Sequence, residues 1–207
     1  MRKIITTTMI TLDGIMQAPG GSKEDTAEGF KYGGWQGGYW NEEGDNIMDT
    51  KIQAAPFDLL LGRLTYDIFA GYWPNHKENQ RWGKPFDRAR KYVVSHKPVP
   101  LSWDNSELIT GDVVAEIKKL KKTDGPDLLI YGSSNLIQTL LRNNLIDRMH
   151  IWTFPVTIGT GKKLFAEGTQ PEHLKLIDSK VTLTGVIFAT YEPVGPLKTE
   201  GTTTQQE

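Results

Sequence analysis

Three places in the 207-residue chain carry residue types that suit phosphate binding. The stretch GSSN at 132–135 follows an apolar run and precedes leucines at helical spacing, which predicts a strand, a turn and a helix. Gly62 and Arg63 stand at a second junction of this kind, and Ser95 with His96 ends a third apolar run. Helix N-termini attract phosphate, and a guanidinium can bind two of its oxygens. Together the three junctions predict a site for a nucleotide with several phosphates.

Each junction taken alone also has a purely structural explanation. Ser134 or Asn135 can cap the following helix through a side-chain oxygen. Arg63 can pair with Asp67 one turn later, and His96 can be an ordinary exposed loop residue. No GxGxxG follows the first strand and no GxxxxGK[ST] occurs, so neither the usual dinucleotide fold nor a P-loop is expected. The prediction therefore depends on the three junctions lying at one edge of a sheet.

A long segment between positions 13 and 45 is rich in glycine and aromatic residues and has no clear period. A linker does not usually carry Trp35, Tyr39 and Trp40, so the segment predicts a functional loop. Alternatively, the segment folds its aromatic side chains onto the body of the protein. Asp13 and Asp45 are candidate proton relays, although Asp13, in the sequence LDG, equally favours a turn.

The elements that must position these residues alternate along the chain. Apolar and β-branched runs predict strands at 4–12, 57–62, 91–95, 107–110, 128–131 and 148–159, and helical patterns include 46–55, 112–125 and 136–143. Residues 173–194 predict two or three antiparallel strands with a hairpin. This order predicts an α/β fold with a mostly parallel sheet, helices on both faces and an antiparallel C-terminal edge. Ligands of such sheets bind at the carboxyl ends of the strands.

Composition and charge exclude several classes of function. The net charge of −1 argues against non-specific electrostatic binding to nucleic acid. The lack of cysteine excludes disulfides and thiolate chemistry. No pair of histidines has metal-like spacing, so no metal is expected. The N-terminus predicts a first strand and no signal peptide, and no run approaches the length of a membrane helix. We expect one cytoplasmic domain at 1–195, without a membrane partner, and a disordered polar tail at 196–207.

Five stretches occur in the order known from one superfamily: MITLDGIM, LLLGRLTYD, YVVSH, IYGSSNLIQTLL and LIDRMHIWTFPVTIGTGKKLF. On these stretches the chain resembles the dihydrofolate reductase-like superfamily. More narrowly, it resembles stand-alone relatives of the C-terminal reductase domain of the bifunctional riboflavin-biosynthesis deaminase-reductase. The resemblance covers about residues 1–193 and implies a central, mostly parallel eight-stranded sheet.

The resemblance also implies NADPH as cofactor. Ser133 stands where the family often has a second glycine at the diphosphate turn. The residues implied to meet the nicotinamide, the diphosphate and the adenosine 2′-phosphate are, in chain order, Met9, Met16, Gly62, Arg63, Thr65, Ser95, His96, Gly132, Ser133, Ser134, Asn135 and Leu136.

The implied reaction is hydride transfer to a small planar heterocycle such as a pterin or a pyrimidine. Asp45 is the catalytic candidate, although true dihydrofolate reductases keep their acidic residue at a position that aligns near Asn46, so folate reduction is not expected. One implied activity is the riboflavin-pathway reduction of a ribosylamino-pyrimidine, whose phosphate needs a basic group. Candidates for that group are Arg81, Lys84, Arg88 and Arg90, and the substrate contacts would be Trp35, Tyr39, Trp40 and Phe154. The first three of these would stack on the substrate if their loop closes as a lid.

Two further points stay open at this stage. Phe154 can form a pocket wall or belong to the core. The chain can also be a binding module that holds NADPH without catalysis, although a pure binder has little need of a lid. Relatives often pair through their terminal strands, so a homodimer is expected.

Overall fold

A computed structural model of the chain describes residues 1–76 and 80–199. The eight strands β1 to β8 are, in chain order, Ile4–Thr11, Phe57–Gly62, Lys91–Val94, Ser106–Ile109, Asp127–Tyr131, Arg148–Phe154, Glu172–Val181 and Ile187–Pro196. They form one sheet in the order β4-β3-β2-β5-β1-β6-β8-β7. Strands β1 to β6 pair in parallel, and β8 pairs antiparallel with both β6 and β7. The predicted α/β fold, a mostly parallel eight-stranded sheet with an antiparallel C-terminal edge, is confirmed.

Helices cover both faces of the sheet. The first begins earlier than the predicted 46–55, because the Asn41 side chain accepts a hydrogen bond from Gly44 N (3.1 Å) and so caps a helix that starts at Glu42. It continues as a π-helical turn at Met48–Ile52. The helices α1 to α5 are Glu42–Ile47, Arg63–Tyr72, Gln80–Arg88, Val113–Lys121 and Ser134–Arg142.

Two apolar cores lie on opposite faces of the sheet. On one face, Ile4 and Leu128 pack with residues of α4 and α5. On the other, Leu129 and Trp152 pack with residues of α1, α2 and α3. The central strands are therefore buried on both faces, and their ligand-accessible positions are confined to the strand ends.

Strand β6 is shorter than predicted. It ends at Phe154, and the expected continuation to Gly159 is wrong, because Pro155 has no N–H to give to a ladder and Gly159 takes a positive φ of 85°. Residues 155–163 instead fold back over the end of β1, where Leu12 N donates to Val156 O (2.8 Å). This return is what fastens the loop after β1.

Strand β8 ends at Pro196, where the polar tail was expected to begin. Residues 200–207 of that tail lie outside the described part of the chain. Within 1–76 and 80–199, no helix combines the length and the apolar character that crossing a bilayer requires.

Candidate active site

A cleft of about 1340 Å³ opens at the carboxyl ends of β1, β2, β3 and β5. Every residue that the resemblance assigns to the cofactor lines it. Trp40 and Asp45 line it as well, whereas Trp35, Tyr39 and Phe154 do not. The cleft has two chemically different ends, which we call the junction half and the aromatic half. The junction half comprises Gly62, Arg63, Thr65, Ser95, His96 and 132–136; the aromatic half comprises Trp40, Asp45, Phe69, Tyr72, Trp73, Trp82, Phe86 and Tyr131.

Helix α5 starts without a side-chain cap. The prediction that Ser134 or Asn135 caps it is wrong: the N-cap residue is Ser133, which has left-handed φ and ψ of 64° and 59°. Its hydroxyl points to the neighbouring junction, where it accepts from Gly62 N (2.8 Å) and donates to Thr65 Oγ1 (2.8 Å). The first N–H groups of α5 are thereby left for a ligand.

Helix α2 also starts without a side-chain cap, with Gly62 at its N-cap position. A Cβ at Gly62 would lie 3.2 Å from both Cβ and Oγ of Ser133. The two junctions are therefore so close that a larger residue at position 62 would crowd Ser133. Two helix N-termini therefore open side by side into the junction half. This pairing concentrates N–H donors and the positive ends of two helix dipoles, which is the arrangement that a diphosphate needs.

Arg63 and the end of β3 border the junction half. The ion pair considered as the structural explanation of Arg63 is present, because its Nε donates to Asp67 Oδ2 (2.7 Å). Ser95 Oγ donates to Lys97 O (2.8 Å) and closes a tight turn that leaves His96 exposed at the rim of the cleft. Three basic side chains, those of Arg63, His96 and Lys97, thus border this end of the cleft.

The segment after β1 is fastened at several points. The carboxylate of Asp13 accepts from Gly159 N (2.6 Å) and from Thr11 Oγ1 (2.5 Å), and the Thr11 hydrogen bond helps to hold the pKa of Asp13 below its usual value. Gly14 N donates to Thr11 O (2.9 Å), so the LDG sequence forms the turn that was the alternative to a proton-relay role for Asp13. Asp13 does not line the cleft.

A second set of contacts holds the same segment over the cleft. Gln17 Oε1 accepts from Lys162 N (3.0 Å), Lys162 Nζ lies 2.6 Å from Asp25 Oδ2, and Trp35 Nε1 donates to Gln17 O (2.8 Å). Sequence reasoning missed Gln17, Asp25 and Lys162, because their partners lie well over a hundred residues apart in the chain. These contacts fix the segment in place as one wall of the cleft.

Trp35 and Tyr39 pack edge-on against Phe154, with ring centroids 5.3 and 6.2 Å apart. Phe154 is fully buried. Trp35 and Tyr39 therefore follow the alternative in which the loop folds its aromatic side chains onto the body of the protein. Phe154 follows the alternative in which it belongs to the core. Only Trp40 among the four expected substrate contacts is brought to the cleft.

The aromatic half combines a group of packed rings with one carboxylate, that of Asp45. Trp40 lies 5.8 Å from Trp82 between ring centroids, and Trp73 lies 5.0 Å from Phe86. Asp45 Oδ1 accepts from Trp40 Nε1 (2.8 Å), and its Oδ2 lies 3.3 Å from Arg81 Nη1. This end of the cleft suits a flat ring that offers hydrogen-bond donors.

The described residues contain no group of three His, Asp or Glu side chains placed to hold an ion. His150 is buried in the sheet, where its Nδ1 lies 2.9 Å from Thr190 Oγ1, and His76 stacks on Tyr72. His150 is thus a buried strand residue, and His76 packs on a neighbouring ring.

The fold is of the dihydrofolate reductase-like kind. The chain belongs to the RibD C-terminal domain family, whose model matches residues 2–188. Among curated proteins it is similar to the uncharacterised protein YyaP of Bacillus subtilis, with 29% identity over 200 residues, 92% of this chain and 94% of YyaP.

Two solved structures show the same fold. One is a protein of Shewanella sp. PV-4 provisionally named for riboflavin biosynthesis, with a TM-score of 0.67, 23% identity and coverage of 92% of this chain and 98% of that one. The other is dihydrofolate reductase from Enterococcus faecalis in complex with NADP(H) and RAB-propyl, with a TM-score of 0.59, 14% identity and coverage of 93% of this chain and 96% of that one.

Proposed function

We propose that this protein is an NADPH-dependent reductase that transfers a hydride to a small planar heterocyclic substrate. The observation that carries the proposal is the cleft itself, with two uncapped helix N-termini joined through Ser133 at one end and a ring-lined carboxylate at the other. Membership in the RibD C-terminal domain family supports it. The NADP(H) complex of the structurally similar dihydrofolate reductase supports the choice of cofactor.

The junction half fits this cofactor. Gly132 has a φ of 60°, and a Cβ built there would meet only Thr65 Oγ1 within 4 Å, at an ordinary 3.8 Å, so the backbone can approach a diphosphate closely. The free N–H groups of α2 and α5 would hold the diphosphate, and Arg63, Ser95 and His96 would hold the 2′-phosphate. When bound, NADPH supplies the hydride, and Met9 and Met16 would border its nicotinamide.

The remaining residues would position the substrate and keep water out. Asp45 would accept a hydrogen bond from a ring N–H and fix the ring orientation, while Trp40 and Trp82 provide apolar contact area. The fastened wall at Gln17 and Lys162 would shield the reacting atoms without a large closing motion.

A panel of planar heterocycles tests the proposal through substrate-dependent consumption of NADPH, with product detected by mass spectrometry. The riboflavin-pathway ribosylamino-pyrimidine belongs in that panel, because the family favours it. Turnover of any member that stops in Asp45→Asn supports a reductase with its substrate in the aromatic half. Tight NADPH binding without turnover across the panel would favour the non-catalytic binding module.

We propose further that two copies pair through β7 and β8. Val181 and Ile187 lie opposite each other in this hairpin and are 69% and 42% exposed. Burying such side chains is favourable, and β7 is an edge strand that a second copy can cover.

A further inference from the structure

The aromatic half of the cleft contains no basic residue. The basic side chains that line the cleft within the described residues are Lys23, Arg63, His96, Lys97 and Lys162. Arg63, His96 and Lys97 lie at the ends of β2 and β3, while Lys23 and Lys162 belong to the opposite wall. A phosphate on the substrate would therefore find no cation among the rings.

Arg81, which contacts Asp45, is already engaged. Its Nε donates to Asp49 Oδ2 (2.8 Å), its Nη2 donates to Asn46 Oδ1 (3.0 Å), and its Nη1 lies 3.3 Å from Asp45 Oδ2. Neither Arg81 nor the other proposed phosphate partners, Lys84, Arg88 and Arg90, line the cleft. The Arg81 guanidinium is thus shared between the carboxylates of Asp45 and Asp49. Together these three side chains carry one net negative charge.

The elements around Asp45 add further negative charge. Helix α1 carries Glu42 and Glu43 besides Asp45, and Lys51 in the following turn is paired with Asp178 at 2.7 Å. Like charges repel, and the repulsion is stronger near a low-dielectric wall of aromatic rings than in open water. The same wall attracts cations through its ring faces.

One hydrogen-bond donor in the aromatic half is unused. The indole nitrogen of Trp73 is buried and has no partner among the described residues. A buried unpaired donor is costly, and an acceptor atom on a ligand would remove that cost. Asp45 offers the complementary acceptor on the same half of the cleft.

Building on the reductase function proposed above, we infer that the aromatic half takes an unphosphorylated flat nitrogen heterocycle, neutral or cationic. Asp45 accepts from N–H groups of the ring system, Trp73 Nε1 donates to an acceptor on it, and the acidic surroundings reject a phosphate ester. Unphosphorylated compounds of the panel therefore rank above the riboflavin-pathway substrate, which carries a phosphate.

The test uses the full chain saturated with NADP⁺, so that the junction half is filled before a second ligand is added. Three probes are titrated: proflavine, which is a flat aromatic cation, riboflavin, and riboflavin 5′-phosphate, which differs from riboflavin only in its phosphate. Quenching of tryptophan fluorescence reports binding, because Trp40, Trp73 and Trp82 line this half. We expect saturable quenching by proflavine and riboflavin, and an affinity for the phosphate ester at least tenfold weaker.

The variant Asp45→Asn should weaken proflavine binding about tenfold, the loss typical of one charge-assisted hydrogen bond, and reduce the discrimination against phosphate. Glu116→Gln removes the same charge from the exposed face of α4 and should change neither. Equal affinity for the two riboflavin forms, or no quenching by any probe on a protein that binds NADP⁺, would overturn the inference. A protein that fails to bind NADP⁺, which the cofactor titration detects separately, would overturn the proposed function as well.

Discussion

Ser133 Oγ accepts a hydrogen bond from Gly62 N at 2.8 Å and so joins two strand-to-helix junctions that lie 71 residues apart in the chain. The same hydroxyl donates to Thr65 Oγ1 in the first turn of α2. Because this contact occupies the hydroxyl, it cannot cap α5. The serine therefore stabilises the relative position of the two helix N-termini and leaves their N–H groups free for a diphosphate.

Gly62→Ala should weaken NADPH binding at least fivefold and destabilise the protein by about 1–3 kcal/mol, the usual cost of overpacking. The new Cβ would lie 3.2 Å from Ser133, while the backbone at Gly62 (φ −71°, ψ 156°) accepts alanine without strain. NADPH fluorescence and urea denaturation measure the two effects.

The double variant Gly62→Ala/Ser133→Gly is the matched control, because it removes the two atoms that the new methyl group would meet. We expect its stability and NADPH affinity to return to those of Ser133→Gly alone, which is a strongly non-additive cycle. Additive losses would show that the Gly62–Ser133 approach does not limit the site.

Arg63→Ala should weaken NADPH binding about tenfold and leave NADH binding within twofold, because only NADPH offers a 2′-phosphate to a guanidinium. Parallel titrations with the two cofactors measure this. Asp67→Asn frees Arg63 from its present ion pair and should leave NADPH affinity unchanged or improve it. If Asp67→Asn instead matches the loss in Arg63→Ala, the arginine acts through the ion pair and not through the phosphate.

Stability should fall as the solution is acidified from pH 7 to pH 5, by about 2 kcal/mol from His150 alone. Burial lowers the pKa of His150 to about 4, so the folded state stays neutral at pH 5 while the unfolded chain, with a pKa of 6.5, takes up a proton. The stabilising contribution is thus complete above pH 6.5 and is lost towards pH 4. Urea denaturation at both pH values measures it, and His150→Asn should flatten the dependence; an equally steep fall in that variant would assign it to other groups.

Light scattering after size exclusion should give twice the chain mass at micromolar concentration. Val181→Glu/Ile187→Glu places charges on the proposed interface and should give the monomer mass, whereas Tyr32→Glu, at another exposed position, should not. If the unmodified protein gives the monomer mass, the proposed pairing through β7 and β8 is wrong.

Local patterns were enough to predict the sheet and the position of the cleft. Alternating apolar runs and helical spacing indicated the parallel strands, and the glycine and serine junctions indicated their ligand-binding ends. Both follow from interactions over a few residues, such as the strand-to-helix transition at Gly62. Trp40 could be nominated because a plain linker does not usually carry tryptophan, and Asp45 because the resemblance aligns the acidic position of dihydrofolate reductases beside it.

Several features of the site depend on contacts between residues far apart in the chain, which local sequence patterns do not predict. Nothing local tells that the Ser133 hydroxyl binds Gly62 N in place of capping α5, or that Lys162 fastens Gln17 and Asp25. The same holds for Trp35, which could be a lid residue or a loop anchor until its contact with Phe154 is seen. Such contacts depend on chain segments that meet only after folding.

The most direct test of the central claim is a fluorescence titration of the purified protein with NADPH and, in parallel, with NADH. The account predicts saturable binding of NADPH with a dissociation constant at least tenfold below that of NADH, a difference of about 1.4 kcal/mol. It also predicts that Gly62→Ala weakens this binding. No saturable binding of either cofactor would contradict the account, because the paired helix N-termini would then hold no dinucleotide.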